Sequence, residues 1–164
     1  NDVVDICVGE GDETRTFTLP SCVMSKRTAF FRKALSFEWK EAESRAVLLP
    51  KEDPEIFNLY LELIFQGHLP LRRDPEPEDE DSLIFVILFE LYLLCDRIQD
   101  IAAQNLIIDA IFEATRLSAG GNMDFTRKFL LPAAEEINII YGGTAGPCPI
   151  RSLLVDMYTF ISMK

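Results

Sequence analysis

The chain has 164 residues, 48% of them apolar and 12 of them Phe, which is enough to bury one real core and excludes a disordered chain. Its formal charge of −11 excludes non-specific nucleic-acid binding, since phosphates would be repelled, and disfavours an anionic membrane surface. Cys7, Cys22, Cys95 and Cys148 are widely spaced, with no CxxC pair and no neighbouring His, so a zinc site is not expected. Cys7 and Cys95 lie in apolar runs and read as buried free thiols of a reducing compartment. No secretory signal precedes the first strand, so a cytoplasmic or nuclear location is expected, and the opening on Asn1 rather than Met reads as a fragment of a longer protein.

Val3, Val4, Ile6, Cys7 and Val8 predict a first strand, ended by the turn Gly9-Glu10-Gly11-Asp12. Thr14 to Leu19 predicts its hairpin partner, with Phe17 and Leu19 alternating against Thr16 and Thr18. Pro20 cannot continue as a paired interior strand and fits a tight corner or a first helical turn. Thr28 is a cap for a helix that places Phe30, Phe31, Ala34 and Leu35 on one face. Ala46 to Leu49, closed by Pro50, predicts a short buried strand and completes a sheet of about three strands. Asp53 followed by Pro54 is a strong helix start, Ile56, Phe57, Tyr60, Leu61, Leu63 and Ile64 form the apolar face, and Gly67 is the stop.

Arg72 to Asp81 breaks the composition with prolines and acids and reads as a solvated loop. Ser82 then caps the apolar run Leu83 to Cys95. The run is too short to cross a bilayer, so it is either the central buried helix or a helix that lends one face to a partner. Asp100 caps a helix from Ile101 to Leu117, in which Ala102, Leu106, Ala110 and Ala114 lie one turn apart, a spacing suited to close packing. Gly120-Gly121-Asn122 breaks the chain. Pro132 opens a helix through Ile140, stopped by Gly142-Gly143, and Pro147 and Pro149 precede a last amphipathic helix, Ile150 to Ile161.

Catalysis needs convergent acids, bases or nucleophiles, and the pattern offers little. The sole histidine, His68, sits in a turn without partners. No GxSxG, P-loop or GxGxxG occurs, Cys22 lacks a local base, and Glu135-Glu136 reads as a solvated helical face. We therefore expect no enzyme activity, no cofactor and no metal. The stretch Phe37-Glu38-Trp39-Lys40-Glu41 stands out because Trp39, the single tryptophan, lies in a polar loop. An aromatic anchor there either buries itself in a partner or folds back onto the domain's own core.

Taken in order, Phe17-Thr18-Leu19, Thr28 to Leu35, Lys40-Glu41-Ala42, Val47-Leu48-Leu49-Pro50, Asp53-Pro54-Glu55-Ile56-Phe57 and Phe65-Gln66-Gly67 resemble the BTB/POZ domain, most closely its fungal versions. Leu91 to Asp100, Gln104 to Ala110 and Pro149 to Asp156 extend the resemblance over nearly the whole chain. Pro20 stands where the family usually has a His, so a polar pocket built on that His is not implied, while the apolar spacing survives.

The resemblance implies an α+β fold, with a small mixed sheet flanked by a helical cluster and extra C-terminal helices. It implies a BTB/POZ domain over 1–118, carrying the acidic loop 72–81, and a C-terminal helical extension over 119–164 packed on the same domain. It further implies a non-catalytic protein–protein interaction module. Cullin-binding members carry a hydrophobic-x-Glu motif in this loop, and Trp39-Lys40-Glu41 is similar to it. The implied partner-binding residues are Phe37, Trp39, Lys40 and Glu41, with Trp39 inserting into an apolar groove of a cullin scaffold and Glu41 capping or pairing across the contact. The alternative is a homo- or hetero-oligomerisation module of a transcriptional regulator or scaffold protein. Animal members dimerise by exchanging a segment before the first strand, and this chain alone is not expected to form that swapped dimer.

Overall fold

The structure is a computed structural model that describes residues 2–36, 45–69, 80–117 and 131–162. Among these residues it is an α+β arrangement of a three-stranded mixed sheet and seven α-helices. The strands are β1 (Val3–Val8), β2 (Arg15–Pro20) and β3 (Ala46–Leu49), in the order β2-β1-β3. β1 pairs antiparallel with β2, Ile6 facing Phe17, and parallel with β3, Ile6 facing Val47. Alternation fixes this register, because Val4, Ile6 and Val8 are all buried and a one-residue slip would expose all three.

The opposite face of the sheet is solvated. Thr18 donates to Asp5 at 2.6 Å, and Cys7 meets Thr16 there, Sγ to Oγ1 at 3.6 Å. Cys7 is thus half-buried on the outer face rather than sealed in the core, whereas Cys95 is sealed. β3 also alternates. Val47 and Leu49 point inward and Leu48 is 67% exposed, so it is a half-buried edge strand rather than a fully buried one.

Of the two expectations at Pro20, a tight corner or a first helical turn, the second holds, with Pro20 at the N-cap of α1 (Ser21–Arg27), which is followed at once by α2 (Ala29–Ala34). The seven residues of α1 bury only Met24, so no apolar period announces it. Thr28 separates the two helices and caps α2, its hydroxyl accepting from the Phe31 N–H at 3.1 Å. Phe31 and Ala34 are buried, with Phe30 and Leu35 packed beside them.

Helix α3 (Pro54–Gln66) starts and stops as its residues dictate. The Asp53 carboxylate accepts from Glu55 N–H at 2.7 Å, Pro54 occupies the first turn, and Gly67 turns left-handed at φ 76°. Helix α4 (Glu80–Arg97) is the core element. It begins two residues before Ser82, so Glu80 and Asp81 belong to the helix and not to the acidic loop. Phe85, Leu88, Phe89 and every residue from Leu91 to Cys95 are buried, and α4 packs against α3, α5 and α6.

Helix α5 (Ile101–Leu117) faces α4 through Ala103, Ile107, Ile111 and Ala114. Of the expected stripe Ala102, Leu106, Ala110 and Ala114, Ala114 is buried and Leu106 and Ala110 pack against the core, while Ala102 is exposed and the inward face is shifted toward Ala103, Ile107 and Ile111. Helix α6 (Ala134–Gly143) begins after Pro132 and runs through both glycines, which the sequence reading took as a stop. Gly143 serves proximity, since a Cβ there would enter the side chain of Leu93 on α4. Glu136 is buried, contrary to a solvated Glu135-Glu136 face. Helix α7 (Pro149–Ser162) closes the chain, burying Ile150, Leu154 and Met157.

One carboxylate ties these layers together. Asp100 is 1% exposed and lies just after Gln99, a non-glycine residue held at φ 60°. Its Oδ1 accepts from the Ala103 N–H at 2.9 Å, the expected cap of α5, while Oδ2 accepts from Arg27 Nε of α1 at 2.6 Å and from the Tyr60 hydroxyl of α3 at 2.9 Å. Burial works against the Arg27 charge, but the bond to Asp100 and its attraction outweigh that, so the guanidinium is more basic than usual. Burial, and then the neighbouring carboxylate, push the Tyr60 phenol well above its ordinary value. Burial does the same to the Cys95 thiol.

Two expectations follow from this packing. Gly143→Ala should destabilise the protein by about 1–3 kcal/mol in urea unfolding, because Leu93 must leave its rotamer. Stability should also fall on alkaline titration. Tyr60 and Cys95 keep their protons in the folded state beyond the ordinary values of 10.0 and 9.0, at which the unfolded chain releases them. The folded form is therefore favoured in full below pH 9 and progressively less above it. Thermal midpoints measured from pH 8 to 11 should drop, and the drop should be shallower in Cys95→Ala.

Candidate functional site

Phe37, Trp39, Lys40 and Glu41 lie in 37–44, outside the described residues. Their flanks are described. α2 delivers Leu35 and Ser36 to one side of that stretch, and Arg45 opens β3 on the other, its carbonyl accepting from Asp5 N–H at 2.9 Å. Arg45 has φ 50°, a left-handed conformation that costs a non-glycine residue about 1–2 kcal/mol.

Between these flanks lies a groove of about 350 Å³. Val3, Val4 and Leu35 supply its apolar lining. Ser21, Cys22 and Ser25 of α1 form one wall, and Asp2, Arg32 and Arg45 contribute the charged groups. Arg45 pairs with Asp2 at 3.2 Å, and Arg32 donates through Nε to the Ser25 carbonyl at 3.3 Å. Three described stretches therefore converge: the start of β1, the exposed side of α1, and the residues Arg32, Leu35 and Arg45 that end α2 and open β3.

The groove gathers a thiol, hydroxyls and a carboxylate, but His68 is not among its lining residues. His68 sits past the end of α3, Nδ1 3.2 Å from the Gln66 carbonyl oxygen. Among the described residues, no nucleophile-and-base pair is thus assembled in the groove. Among the described residues, no three His, Cys, Asp or Glu side chains are grouped so as to hold a metal ion. No helix among them is long and apolar enough to cross a membrane.

A second open hollow of about 400 Å³ lies between α6 and α7, lined by Tyr141, Pro147, Arg151 and Val155. Arg151 builds its wall. The guanidinium lies 4.4 Å over the Tyr141 ring and donates to the carbonyls of Thr144 at 2.7 Å and Tyr141 at 3.2 Å.

The expected site and the observed groove are neighbours in the chain; Cys22, beside Ser21 and Ser25, stands out in the sequence only as a thiol without a local base, and nothing there brings it together with Val3, Arg32 and Arg45. Their signal is one of charge. Residues 20–36 carry Lys26, Arg27, Arg32 and Lys33 and no acid, within a chain of net charge −11.

No protein-family model matches the chain. Over 85 residues, 52% of its length, it is 31% identical to Kelch repeat and BTB domain-containing protein 4 of Mus musculus and 29% identical to that protein of Homo sapiens. The match spans 16% of the length of each of these relatives. Together with the α+β fold, this similarity supports a BTB domain and, with it, a role in protein interaction.

Proposed function

We propose that the chain is a non-catalytic adaptor module of BTB/POZ type that docks a cullin ubiquitin-ligase scaffold through Trp39-Lys40-Glu41. The observation that carries the reading is the coincidence of the small mixed sheet and helical cluster with the similarity to BTB-containing proteins. The cullin partner rests on the likeness of Trp39-Lys40-Glu41 to the hydrophobic-x-Glu motif. Physically, the lone indole removes a large apolar area from water and supplies the affinity, and Glu41 supplies register. Residues 119–164 act as a helical extension of the 1–118 domain in this proposal. The closer likeness to fungal members and a cytoplasmic or nuclear location belong to the same proposal.

A second reading, self-association as an oligomerisation module, draws on exposed apolar side chains of the sheet. Val3 is 44% and Leu48 67% exposed on its outer face.

Mixing the purified chain with a cullin N-terminal region decides between them. The adaptor reading expects a complex in calorimetry, weakened at least about 30-fold by Trp39→Ala, the cost of losing one aromatic anchor. Absence of binding, or binding indifferent to Trp39→Ala and Glu41→Ala, overturns it. Light scattering of the chain alone then reports a monomer for the adaptor and a dimer or larger species for the alternative.

A further inference from the structure

We propose that the outer edge of β2 receives an extended strand from a partner protein, apolar on one face and basic at one end. Among the described residues β2 is an edge strand, since the sheet runs β2-β1-β3. Its hydrogen-bond phase is fixed. Ser21 N–H donates to the Asp2 carbonyl at 3.0 Å, and Leu19 and Phe17 stand opposite Val4 and Ile6. In an antiparallel pair the bonded residues alternate, so Phe17 and Leu19 turn their backbone groups to β1, and Thr16 and Thr18 turn theirs outward. The side chains agree: Thr18 reaches Asp5 and Thr16 reaches Cys7, as close pairs without mutual backbone bonds do. Two N–H and two C=O groups at strand spacing present the pattern that an extended backbone complements.

The apolar side of the strand points to the same occupant. Val4, Ile6 and Val8 of β1 are buried, and so are Val47 and Leu49 of β3 at the opposite edge. Phe17 and Leu19 of β2 pack against the same core and are only half-buried. The core is thus closed at one edge of the sheet and incompletely covered at the other. A strand beyond β2 would set its own inward side chains beside Phe17 and Leu19, at the cross-strand distance of about 5 Å. Charge selects one end. The turn leading into β2 carries Glu10, Asp12 and Glu13, all exposed, and the neighbouring Arg15 is paired with Glu55 at 2.7 Å. Within a chain of net charge −11, that end favours lysine or arginine and repels an acidic segment, a nucleic acid or an anionic membrane. In antiparallel addition Thr16 and Thr18 each exchange two bonds with the residue opposite, and the basic residues fall at the C-terminal end of the incoming strand.

The test uses the isotopically labelled chain and an acetylated, amidated hexapeptide reading isoleucine-threonine-valine-threonine-lysine-lysine. Without peptide, the Thr16 and Thr18 amides should exchange with solvent at least about tenfold faster than those of Phe17 and Leu19, which are bonded to β1. Millimolar peptide should slow Thr16 and Thr18 at least about threefold and leave Phe17 and Leu19 unchanged. N-methylation of the peptide's two threonine amides should abolish the effect, because it removes the donors and keeps every side chain. Glutamates in place of the lysines should weaken binding at least about threefold at low salt. No slowing with the peptide, or equal slowing with its N-methylated form, overturns the proposal, and an equally tight glutamate peptide overturns the choice of a basic partner. Thr16 and Thr18 amides that are already slow without peptide also overturn it, and a dimer in light scattering then assigns the edge to a second copy. The chain carries no substitution in these measurements, so no loss of folding can blur them. The experiment contains no cullin, and its failure leaves the adaptor reading standing.

Discussion

A single buried carboxylate holds the described parts of this fold in one arrangement. Asp100 satisfies an orphan N–H of α5, neutralises the arginine of α1 and receives the phenol of α3. No apolar contact could do this, because dispersion and burial tolerate small rotations of one helix on another, whereas two bonds to a single carboxylate oxygen do not. The cost is the removal of that charge from water. It is offset because Asp100 accepts three hydrogen bonds, one of them from a guanidinium. Without the carboxylate, Arg27 and Tyr60 would be left with polar atoms facing a core that cannot solvate them.

That constraint bears on function through α1. The helix is short, buries one side chain and could not hold its place by packing alone. Anchored at its C-terminal end, it presents Ser21, Cys22 and Ser25 at the other end as a fixed wall. Arg32 adds a bond from α2 to α1. The helical cluster and the sheet edge are thereby coupled. The bidentate Glu52–Arg97 pair, at 2.5 and 2.6 Å, secures the neighbouring junction between the β3–α3 connection and the end of α4.

Local chemistry made much of this legible in the residues. Caps need one side chain and one N–H, so Thr28, Asp53 with Pro54, and Asp100 could be read directly, as could Gly67. β2 followed from alternation, β1 and β3 from short apolar runs, and α4 from an apolarity that only a core can absorb. What escaped depends on neighbours distant in sequence. α1 has no period of its own; its start is tied to the Asp2 carbonyl through Ser21 and its end to Asp100 through Arg27. Gly143 looks like a helix stop and is instead a clearance for Leu93. The left-handed turn before Asp100 is made by Gln99, which carries none of glycine's signal. The inward face of α5 passes through Ala103 rather than Ala102. Of the candidate site, the Trp39 loop was marked by composition, whereas the groove is assembled from three separate stretches, and the sequence shows only that residues 20–36 carry four basic residues and no acid.

The central claim is that Asp100 couples α1 to the helical cluster, and a double-mutant cycle of Arg27→Met and Asp100→Asn measures it most directly. Asn keeps the cap on α5 and removes the charge, so the cycle isolates the link to α1. A coupling of about 1–3 kcal/mol in urea unfolding, with faster hydrogen exchange of the α1 amides in either single variant, is the result this account requires. A coupling under about 0.5 kcal/mol with α1 protection unchanged would contradict it.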